Sequence, residues 1–433
     1  MSHPKRIPNL VYSDGEGNIF DDADTLMSGR SGFDVVALDT NDFIELPDGS
    51  DLFELPGRHP IGFDKKTGEP VVSKKGIAVA AQMAPAHTQL YLSSYMREKE
   101  APTLPLFAYT AVGFLDGKYY VPAVRIDPDI RQEPKSFDHD AVKKSVERLT
   151  EKFPGNRLLN HIGNNCALTY YRPAARNFFL NRYEAPIPTS PACNANCIGC
   201  ISFQPEQESI ESTQDRLTFK PTAEEIAQYT IDHLNTAPRP VVSFGQGCEG
   251  EPLLMWETIR DAIRMIRKKT QAGSININTN GSMPEAVEAL CKAGLNSIRV
   301  SLNSVRKKIY ESYYLPNNYV FEDLAESIKV IRKYNGWASI NYFVFPGMTD
   351  DREEYEALRK FIRDTDLSMI QWRNFNIDPD WDLERINVKD TGEIMGVKKV
   401  MDEIKKEFPG ITYGYFNPPM ETIKQKLKIV TAV

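Results

Sequence analysis

The sequence predicts an α/β protein in which a partial (β/α)6 parallel barrel follows an N-terminal β-rich (α+β) domain. Six apolar runs rich in β-branched residues recur between residues 183 and 377, and amphipathic helical stretches separate them. Residues 1–137 instead keep no long helical period and are rich in the Pro and Gly of turns between short strands. The first pattern predicts parallel strands joined by helices, and the second predicts an antiparallel β region.

The predicted barrel strands are, in chain order, YEAPIP, PVVSF, SININT, SIRVSL, SINYFVF and MIQWRNF. Two of the helices between them carry the capping-box pattern, at Thr222 to Glu225 and at Ser282 to Glu285. Strands that alternate with helices form right-handed βαβ units, so the chemistry is expected where the strands end.

Composition and texture divide the chain into four predicted segments. They are a β-rich N-terminal domain of residues 1–137, a helical connector of residues 138–182, a barrel of residues 183–377 and a C-terminal α/β extension of residues 378–433 that covers the barrel. The first segment contains two expected hairpins, NLVYS-DGEG-NIFDD and AYTAVGFL-DG-KYYVPAVRI, because a short turn separates apolar arms in each.

The composition is that of a globular chain, with 433 residues of which 41% are hydrophobic and 26% charged. No run approaches the roughly 18 apolar residues of a membrane span, and no stretch of signal-peptide length opens the chain. We therefore expect a cytoplasmic protein with no membrane partner. A formal net charge of −7 disfavours nucleic acid as a partner, and six cysteines are too few for a disulfide framework.

The strongest motif is PACNANCIGC, in which Cys193, Cys197 and Cys200 follow the first barrel strand with C-x3-C-x2-C spacing. Three thiols on one loop indicate a soft metal centre. A zinc site would need a fourth ligand, and no Cys or His follows at finger spacing. A [4Fe-4S] cluster usually takes four cysteines, so three would leave one iron open for catalysis. From the residues alone, zinc and a plain iron–sulfur module remain alternatives.

Together with the strand–helix repeats, this motif resembles the radical S-adenosylmethionine (SAM) superfamily over roughly residues 183–377. The resemblance implies a [4Fe-4S] cluster held by the three cysteines, whose open iron chelates the amino and carboxylate groups of SAM. It also implies reductive cleavage of SAM to methionine and a 5′-deoxyadenosyl radical that abstracts hydrogen from a substrate. A low-potential electron donor, flavodoxin-like or ferredoxin-like, is the implied partner.

One position departs from the pattern of that superfamily. An aromatic residue usually precedes the third cysteine, whereas this chain has Gly199. Phe203 lies close enough in sequence to replace that aromatic residue, but we expect Phe203 to be a core residue.

The stretch SFGQGCEGEP contains Gly245, Gly247 and Gly250 in the G-x-G-x-x-G spacing of a dinucleotide loop. The dinucleotide interpretation fails because Glu251-Pro252 interrupts the approach to the helix, and because the next strand ends without an acid for a ribose. The end of the stretch instead resembles the superfamily's G-G-E-P-like turn. Gly250 and Glu251 are therefore expected to bind the amino group of SAM.

The resemblance also assigns SAM-binding roles to residues at the ends of later strands. Thr279-Asn280 matches a T-N-G turn, Ser301 and Asn303 match an S-x-D motif whose acid is replaced, and Gly347 matches the fifth-strand motif beside adenine. Arg373 is expected to meet the carboxylate of SAM or an anionic substrate.

Three cysteines remain outside the motif. Cys248 lies two residues before Gly250, and we expect it to be catalytic, as a hydrogen-atom donor, a neighbour of the cluster or a substrate contact. Cys291 falls within an amphipathic helix and is expected in the core. Cys166 has no partner nearby in the sequence, and we expect it to be structural.

The sequence therefore predicts a radical SAM enzyme with a [4Fe-4S] cluster and SAM as cofactors. Its substrate is unidentified and is either a small metabolite or a peptide or protein side chain. The alternative hypothesis is a non-catalytic iron–sulfur or zinc protein that uses the same barrel as a sensor or scaffold.

Overall fold

The N-terminal part of the chain is an antiparallel β region. The computed structural model describes residues 4, 6–205, 210–246 and 248–430, so Gly247 lies outside the described residues. Within these residues, the strands before residue 126 are β1 (Asn9–Ser13), β2 (Ile19–Met27), β3 (Gly29–Ser31), β4 (Asp34–Val36), β5 (Phe43–Glu45), β6 (Asp51–Leu55), β7 (Arg58–Asp64), β8 (Pro70–Val72), β9 (Ile77–Gln82), β10 (His87–Gln89), β11 (Tyr95–Arg97), β12 (Gly113–Leu115) and β13 (Lys118–Arg125).

Both predicted hairpins are confirmed in this region. Strands β1 and β2 pair antiparallel with Ser13 opposite Ile19, and β12 and β13 pair with Leu115 opposite Lys118. All described strands of the region except β3 and β4 join one antiparallel sheet, whose main path runs β10-β13-β12-β1-β2-β7-β11.

The second half of the chain contains a parallel sheet whose described strands pair strictly in chain order. They are β14 (Glu184–Ile187), β15 (Val241–Phe244), β16 (Ser274–Thr279), β17 (Ser297–Leu302), β18 (Trp337–Val344), β19 (Met369–Asn374) and β20 (Thr412–Tyr413). The first six are the six predicted strands. The seventh described strand, β20, comes from the C-terminal extension and pairs with β19.

Helices cover this sheet and fill the connector. In the described chain they are α1 (His139–Lys152), α2 (Arg157–His161), α3 (Pro173–Phe179), α4 (Ala223–Thr236), α5 (Trp256–Lys269), α6 (Pro284–Ala293), α7 (Lys307–Tyr314), α8 (Phe321–Lys333), α9 (Arg352–Thr365), α10 (Pro379–Arg385), α11 (Val397–Glu407) and α12 (Met420–Val430). A π-helix, Ile162–Thr169, continues α2. Among the described helices, none has the length and apolar character to cross a membrane.

One of the two predicted capping boxes forms. At the start of α4, the side chain of Thr222 accepts a hydrogen bond from Glu225 N, and the side chain of Glu225 accepts one from Thr222 N. The predicted box at Ser282 is wrong, because Pro284 takes the first position of α6 and makes Met283 its cap residue.

The two faces of the parallel sheet differ in polarity. Alternate residues of each strand point to opposite faces, and the outward ones, such as Ile275, Ile298 and Ile340, are fully buried in the largest apolar core of the described chain. The inward residues are polar and line a cavity. They include Asn278, Arg299, Ser301, Asn341, Gln371 and Arg373. A polar inner face costs burial energy unless hydrogen bonds or a ligand satisfy it, so this face indicates a binding cavity.

The N-terminal region is fixed to the carboxyl edge of the parallel sheet. On β10, Thr88 Oγ1 donates to Trp372 O at 2.6 Å, and Gln89 Nε2 donates to Val344 O at 3.0 Å. Arg58 and Asp378 form an ion pair of 2.7 Å whose side chains are fully buried. The β region therefore borders the strand ends at which the predicted site residues lie.

Candidate active site

The cysteine loop lies beyond the carboxyl end of β14 and is held by backbone bonds from the loop that follows β15. Gly250 N donates to Ser190 O at 2.7 Å, and Glu251 N donates to Ala192 O at 2.8 Å. A Cβ atom at Gly250 would lie 1.9 Å from Ala192 O, so only glycine permits this contact. The predicted G-E-P turn therefore lies directly against the cysteine loop.

The chemistry of the three thiols fits an iron–sulfur cluster. Burial raises the pKa of Cys193 to about 11, and burial together with the charges of Cys200 and Cys193 raises the pKa of Cys197 well above its usual value. The guanidinium of Arg216 lies 3.6 Å from Cys200 Sγ. Three sulfur donors on one loop suit an iron–sulfur centre and leave one iron without a protein ligand.

The missing aromatic residue before the third cysteine is replaced from another part of the chain. A Cβ atom at Gly199 would lie 2.6 Å from the hydroxyl oxygen of Tyr313 on α7, so the tyrosine ring occupies that side of the loop. Ile198 N also donates to Tyr313 O at 3.0 Å. Phe203 is 53% exposed and lies under the guanidinium of Arg216, so the expectation that it is a core residue is wrong.

Glu251 connects the ends of two strands. Its carboxylate accepts hydrogen bonds from Leu253 N at 2.9 Å, from Asn280 N at 2.8 Å and from Thr279 Oγ1. Burial raises the pKa of Glu251 to about 7. A carboxylate has about four lone-pair sites, so three protein bonds leave Glu251 room for one further donor. Its predicted bond to the amino group of SAM stays a prediction.

Asn280 joins the same group of residues. Its side-chain nitrogen donates to Asn194 Oδ1 at 2.8 Å, and Asn194 in turn donates to Ser282 Oγ at 3.0 Å. Asn194 directly follows Cys193 in the cysteine loop. The structure thus brings Gly250, Glu251, Thr279 and Asn280 together beside the three cysteines.

A cavity of about 690 Å³ occupies the polar face of the parallel sheet. Ser301 and Arg373 line it, and the β region and connector contribute further wall residues, among them Met83, His87, Leu106, Tyr170 and Arg172. The charged side chains of its wall are Arg172, Arg299, Arg373 and Glu184. Arginines outnumber carboxylates here, so the cavity favours a ligand that carries negative charge.

Two of these arginines have capacity left for a ligand. Arg299 donates to Gln371 Oε1 at 2.7 Å and to Tyr415 O at 3.1 Å, but its Nη2 is buried and has no partner among the described residues. Burial lowers the pKa of Arg299 to about 10, so it keeps its charge at neutral pH. Arg373 lies over the ring of Phe343, 5.8 Å from its centroid.

A second cavity, of about 20 Å³, lies beside the end of β17. Asn303 and Asp382 line it with Phe345 and Phe375, and the Oδ1 atoms of Asn303 and Asp382 are both buried without a hydrogen-bond partner in the described chain. Burial, and the nearby charge of Asp378, raise the pKa of Asp382 well above its usual value. Asp382 is not predictable from the sequence motifs, because it lies about 80 residues beyond Asn303 and outside every strand-end motif.

Gly347 contacts the β region. Its φ angle is +94°, and a Cβ atom there would lie 2.0 Å from Gly32 N. Gly32 N also donates to Pro346 O at 2.8 Å. This contact explains the glycine structurally, and its predicted role beside adenine stays a prediction.

Cys248 points to a partner that the sequence analysis did not identify. Its Sγ lies 3.2 Å from Sγ of Cys166, and both side chains are buried. The fold thus brings Cys166 a partner from 82 residues away in the sequence, and the expectation that Cys166 is structural stays a prediction. The hydrogen bond to Cys166 is the main reason that the pKa of Cys248 falls to about 5. Cys291 is buried on α6, as expected.

Comparison with known proteins identifies the domain that holds the three cysteines. Residues 187–361 match the family model of the radical SAM superfamily, whose members use a [4Fe-4S] cluster and SAM. The chain therefore contains a radical SAM domain over these residues. This finding confirms the resemblance drawn from the cysteine motif.

Several solved structures are similar to this chain at low identity. A radical SAM methyltransferase from Sphaerobacter thermophilus is 15% identical with a TM-score of 0.38, and the match covers 54% of this chain and 66% of that chain. A methylornithine synthase is 13% identical with a TM-score of 0.38, and the match covers 64% of this chain and 77% of the synthase. Streptococcus suis SuiB bound to SAM is 14% identical with a TM-score of 0.38, covering 74% and 72%. No curated protein matches the sequence.

Proposed function

We propose that this protein cleaves SAM reductively and directs the resulting radical to a small, negatively charged polar metabolite bound in the large cavity. The observation that carries the proposal is that the three-cysteine loop and the arginine-lined cavity lie at the same parallel sheet. In a fold of this kind, ligands bind at the carboxyl ends of the strands.

Cys193, Cys197 and Cys200 would hold the cluster, which supplies the electron that cleaves SAM to methionine and a 5′-deoxyadenosyl radical. The residues of the G-E-P turn position that loop, because Gly250 and Glu251 hold it through two backbone bonds. Tyr313 shields the loop from the side where Gly199 leaves space. The three cysteines are half-buried, so this contact limits the access of water and oxidants to their sulfurs.

Asn303 and Asp382 are proposed to bind the ribose of SAM. The cavity between them is about the size of one water molecule, hence of one hydroxyl group. Burial raises the pKa of Asp382 and so favours its protonated form, in which Asp382 would donate one hydrogen bond while Asn303 Oδ1 accepts another. A ribose hydroxyl satisfies both, since it is donor and acceptor at once.

Arg373 and Arg299 are proposed to hold the negative charge of the substrate. Arg299 offers a buried, unpartnered nitrogen, and Arg373 lies on the wall of the same cavity. Amide side chains such as Asn278, Asn341 and Gln371 add neutral hydrogen-bonding groups. This wall suits a polar anion, because its charged and amide groups can bind negative charge, while apolar residues such as Met83, Leu106 and Phe107 form the rest of the wall.

The decisive experiment reconstitutes the protein anaerobically with iron and sulfide and then adds SAM and a low-potential reductant. We expect release of 5′-deoxyadenosine and methionine, measured by liquid chromatography. Cys197→Ala should lose both the cluster absorbance and the cleavage, whereas Cys291→Ala, which changes a cysteine outside the motif, should keep both. An intact cluster without any cleavage of SAM would refute the enzymatic proposal and favour a sensor or scaffold.

The class of substrate has a separate test in SAM-loaded protein. Small carboxylates and phosphates should raise the thermal unfolding midpoint, and Arg373→Gln should abolish that rise while leaving the response to SAM alone unchanged. Stabilisation by neutral or cationic compounds instead would contradict the proposed anionic substrate.

A further inference from the structure

A second group of metal-ligating side chains lies apart from the cysteine loop. Within the described residues, one ligand atom each of His161, Cys166 and Cys248 lie within 4.8 Å of one another. The two sulfur atoms are 3.2 Å apart, and Cys166 and Cys248 are 1% and 0% exposed. Neither cavity described above is lined by these three residues. They therefore form a separate cluster in which both sulfurs are buried and His161 is half-buried.

The local fold is what brings His161 and Cys166 together. His161 ends α2, and the π-helix Ile162–Thr169 begins at the next residue. An α-helix advances 3.6 residues per turn and would turn residues i and i+5 about 140° apart. A π-helix is wider, with i→i+5 bonds such as Tyr170 N to Asn165 O at 2.9 Å. Residues five apart then face nearly the same side, and π-helical turns are frequent at functional sites.

The donor atoms match the preferences of a thiophilic metal ion. Two sulfurs and one imidazole make the Cys₂His set found in zinc sites with three protein ligands. His161 Nε2 is buried and makes no hydrogen bond with any described residue. An unsatisfied buried nitrogen is costly, and coordination to a metal would satisfy it.

One residue, Gln214, lies between the cluster and the large cavity. Gln214 Oε1 lies 3.7 Å from Cys248 Sγ and accepts a hydrogen bond from Arg172. Gln214 and Arg172 both line the large cavity. If Gln214 Oε1 took the fourth position on a metal ion, it would be a weaker ligand than a thiolate or an imidazole. A donor atom from the cavity could therefore displace it.

We propose that His161, Cys166 and Cys248 bind a Zn²⁺ ion whose fourth position is exchangeable and opens toward the large cavity. On binding, each sulfur coordinates as a thiolate, and the thiol protons pass to solvent. The ion changes no oxidation state. It would hold an oxygen, nitrogen or sulfur atom of the substrate at the cavity wall.

The test uses the full chain with Cys193, Cys197 and Cys200 replaced by serine, so that no cluster forms and the outcome is independent of SAM chemistry. Titration with Co²⁺ should give one equivalent with thiolate charge-transfer absorbance and tetrahedral d–d bands, and Zn²⁺ should displace it. Adding Cys166→Ser or Cys248→Ser should weaken Zn²⁺ binding at least about 100-fold, since even second-shell changes cost about 10–100-fold. His161→Gln should weaken binding as well, and Cys291→Ser should not.

A labelling experiment on the unsubstituted chain covers the case in which a variant fails to fold. Zn²⁺ should protect Cys166 and Cys248 from alkylation while Cys291 keeps its own rate. No thiolate band, an unchanged band in Cys166→Ser, or a Cys166–Cys248 disulfide that forms in place of metal binding would each overturn the proposal.

Discussion

Two buried carboxyl groups of the candidate site have different environments. Glu251 makes three hydrogen bonds to its own chain, whereas Asp382 Oδ1 makes none with the described residues. A buried side chain that already makes several hydrogen bonds positions the residues it contacts. A buried polar atom without a hydrogen-bond partner is available to bind a ligand. At the scale of single residues, Asp382 is therefore the more informative group for SAM binding.

Substitution of Asp382 tests this assignment. Asp382→Ala should raise the SAM concentration for half-maximal 5′-deoxyadenosine formation about tenfold, the equivalent of about 1.4 kcal/mol for one lost hydrogen bond. Asp382→Asn should stay close to the unsubstituted protein, because a neutral amide replaces a carboxyl group whose neutral form is favoured by a pKa that burial raises. Glu384→Ala, an exposed change on the same helix, is the control. Equal effects of the Ala and Asn variants would contradict the proposed hydrogen bond.

Part of the candidate site could be predicted from short sequence motifs. The rest could not, because its residues lie far away along the chain. The three cysteines, Gly250 and Glu251 were predictable because each lies within a short motif at the end of a strand. Tyr313 and Asp382 were not, because each reaches the site from a helix beyond the motif that it contacts. The partner of Cys248 was hidden for another reason, since a π-helix has no sequence pattern that hydrophobic periodicity detects.

At the scale of elements, the fit between the cysteine loop and α7 can be tested. Gly199→Ala places a Cβ atom 2.6 Å from the hydroxyl of Tyr313 and should lower iron loading, because crowding of a packed site costs about 1–3 kcal/mol. Tyr313→Phe in the same chain should restore loading, since the nearest remaining ring atom is then 3.5 Å away.

Iron per chain after anaerobic reconstitution is the measurement for this pair. Gly410→Ala is the control, because no atom lies within 4 Å of the added Cβ. Failure of Tyr313→Phe to rescue Gly199→Ala would show that the clash is not with the tyrosine hydroxyl.

The elements of the barrel were predicted better than their ends. The long apolar strands and amphipathic helices appear where periodicity placed them, since burial of one face determines both. The cap at Ser282 failed because Pro284 fixes the start of α6. Strand β20 was missed because two residues are too few to show an alternating pattern.

At the scale of the whole molecule, the buried pair of Arg58 and Asp378 joins the β region to the barrel. Arg58→Met should destabilise the protein by about 3–5 kcal/mol, because it leaves a buried carboxylate without its counter-charge. The double variant with Asp378→Ala should cost less than the sum of the single changes. Chemical denaturation measures both, and Arg6→Met, in an exposed pair with Asp116, should cost under about 1 kcal/mol. Strict additivity would contradict the coupling.

Acid should destabilise the molecule through His233. Burial lowers the pKa of His233 to about 4, and its Nε2 bonds Tyr183 O at 2.8 Å. As the pH falls below 6.5, the histidine of the unfolded chain therefore takes up a proton, whereas the folded chain takes it up only near pH 4. The stability that neutral His233 gives the folded state is fully present above pH 6.5 and is lost as the pH falls to 4. The free energy of unfolding should change by about 3 kcal/mol, at 1.36 kcal/mol per pH unit.

The free energy of unfolding measured between pH 4 and 7 checks this expectation. His233→Gln keeps a donor for Tyr183 O but has no ionisable ring, so its stability should fall less steeply over that interval. An equal slope in both proteins would show that His233 does not control the acid response.

The pairing of β18 with β19 limits how the protein can be divided into fragments. The family match ends at residue 361, before β19, although six residue pairs join β19 to β18 from Ser339 opposite Met369 to Val344 opposite Asn374. A fragment cut there would expose the full edge of a buried, apolar strand, which is a template for aggregation. It would also lose Arg373 and Asp382. The smallest fragment that folds and binds SAM should therefore extend through Tyr413, the last residue of β20.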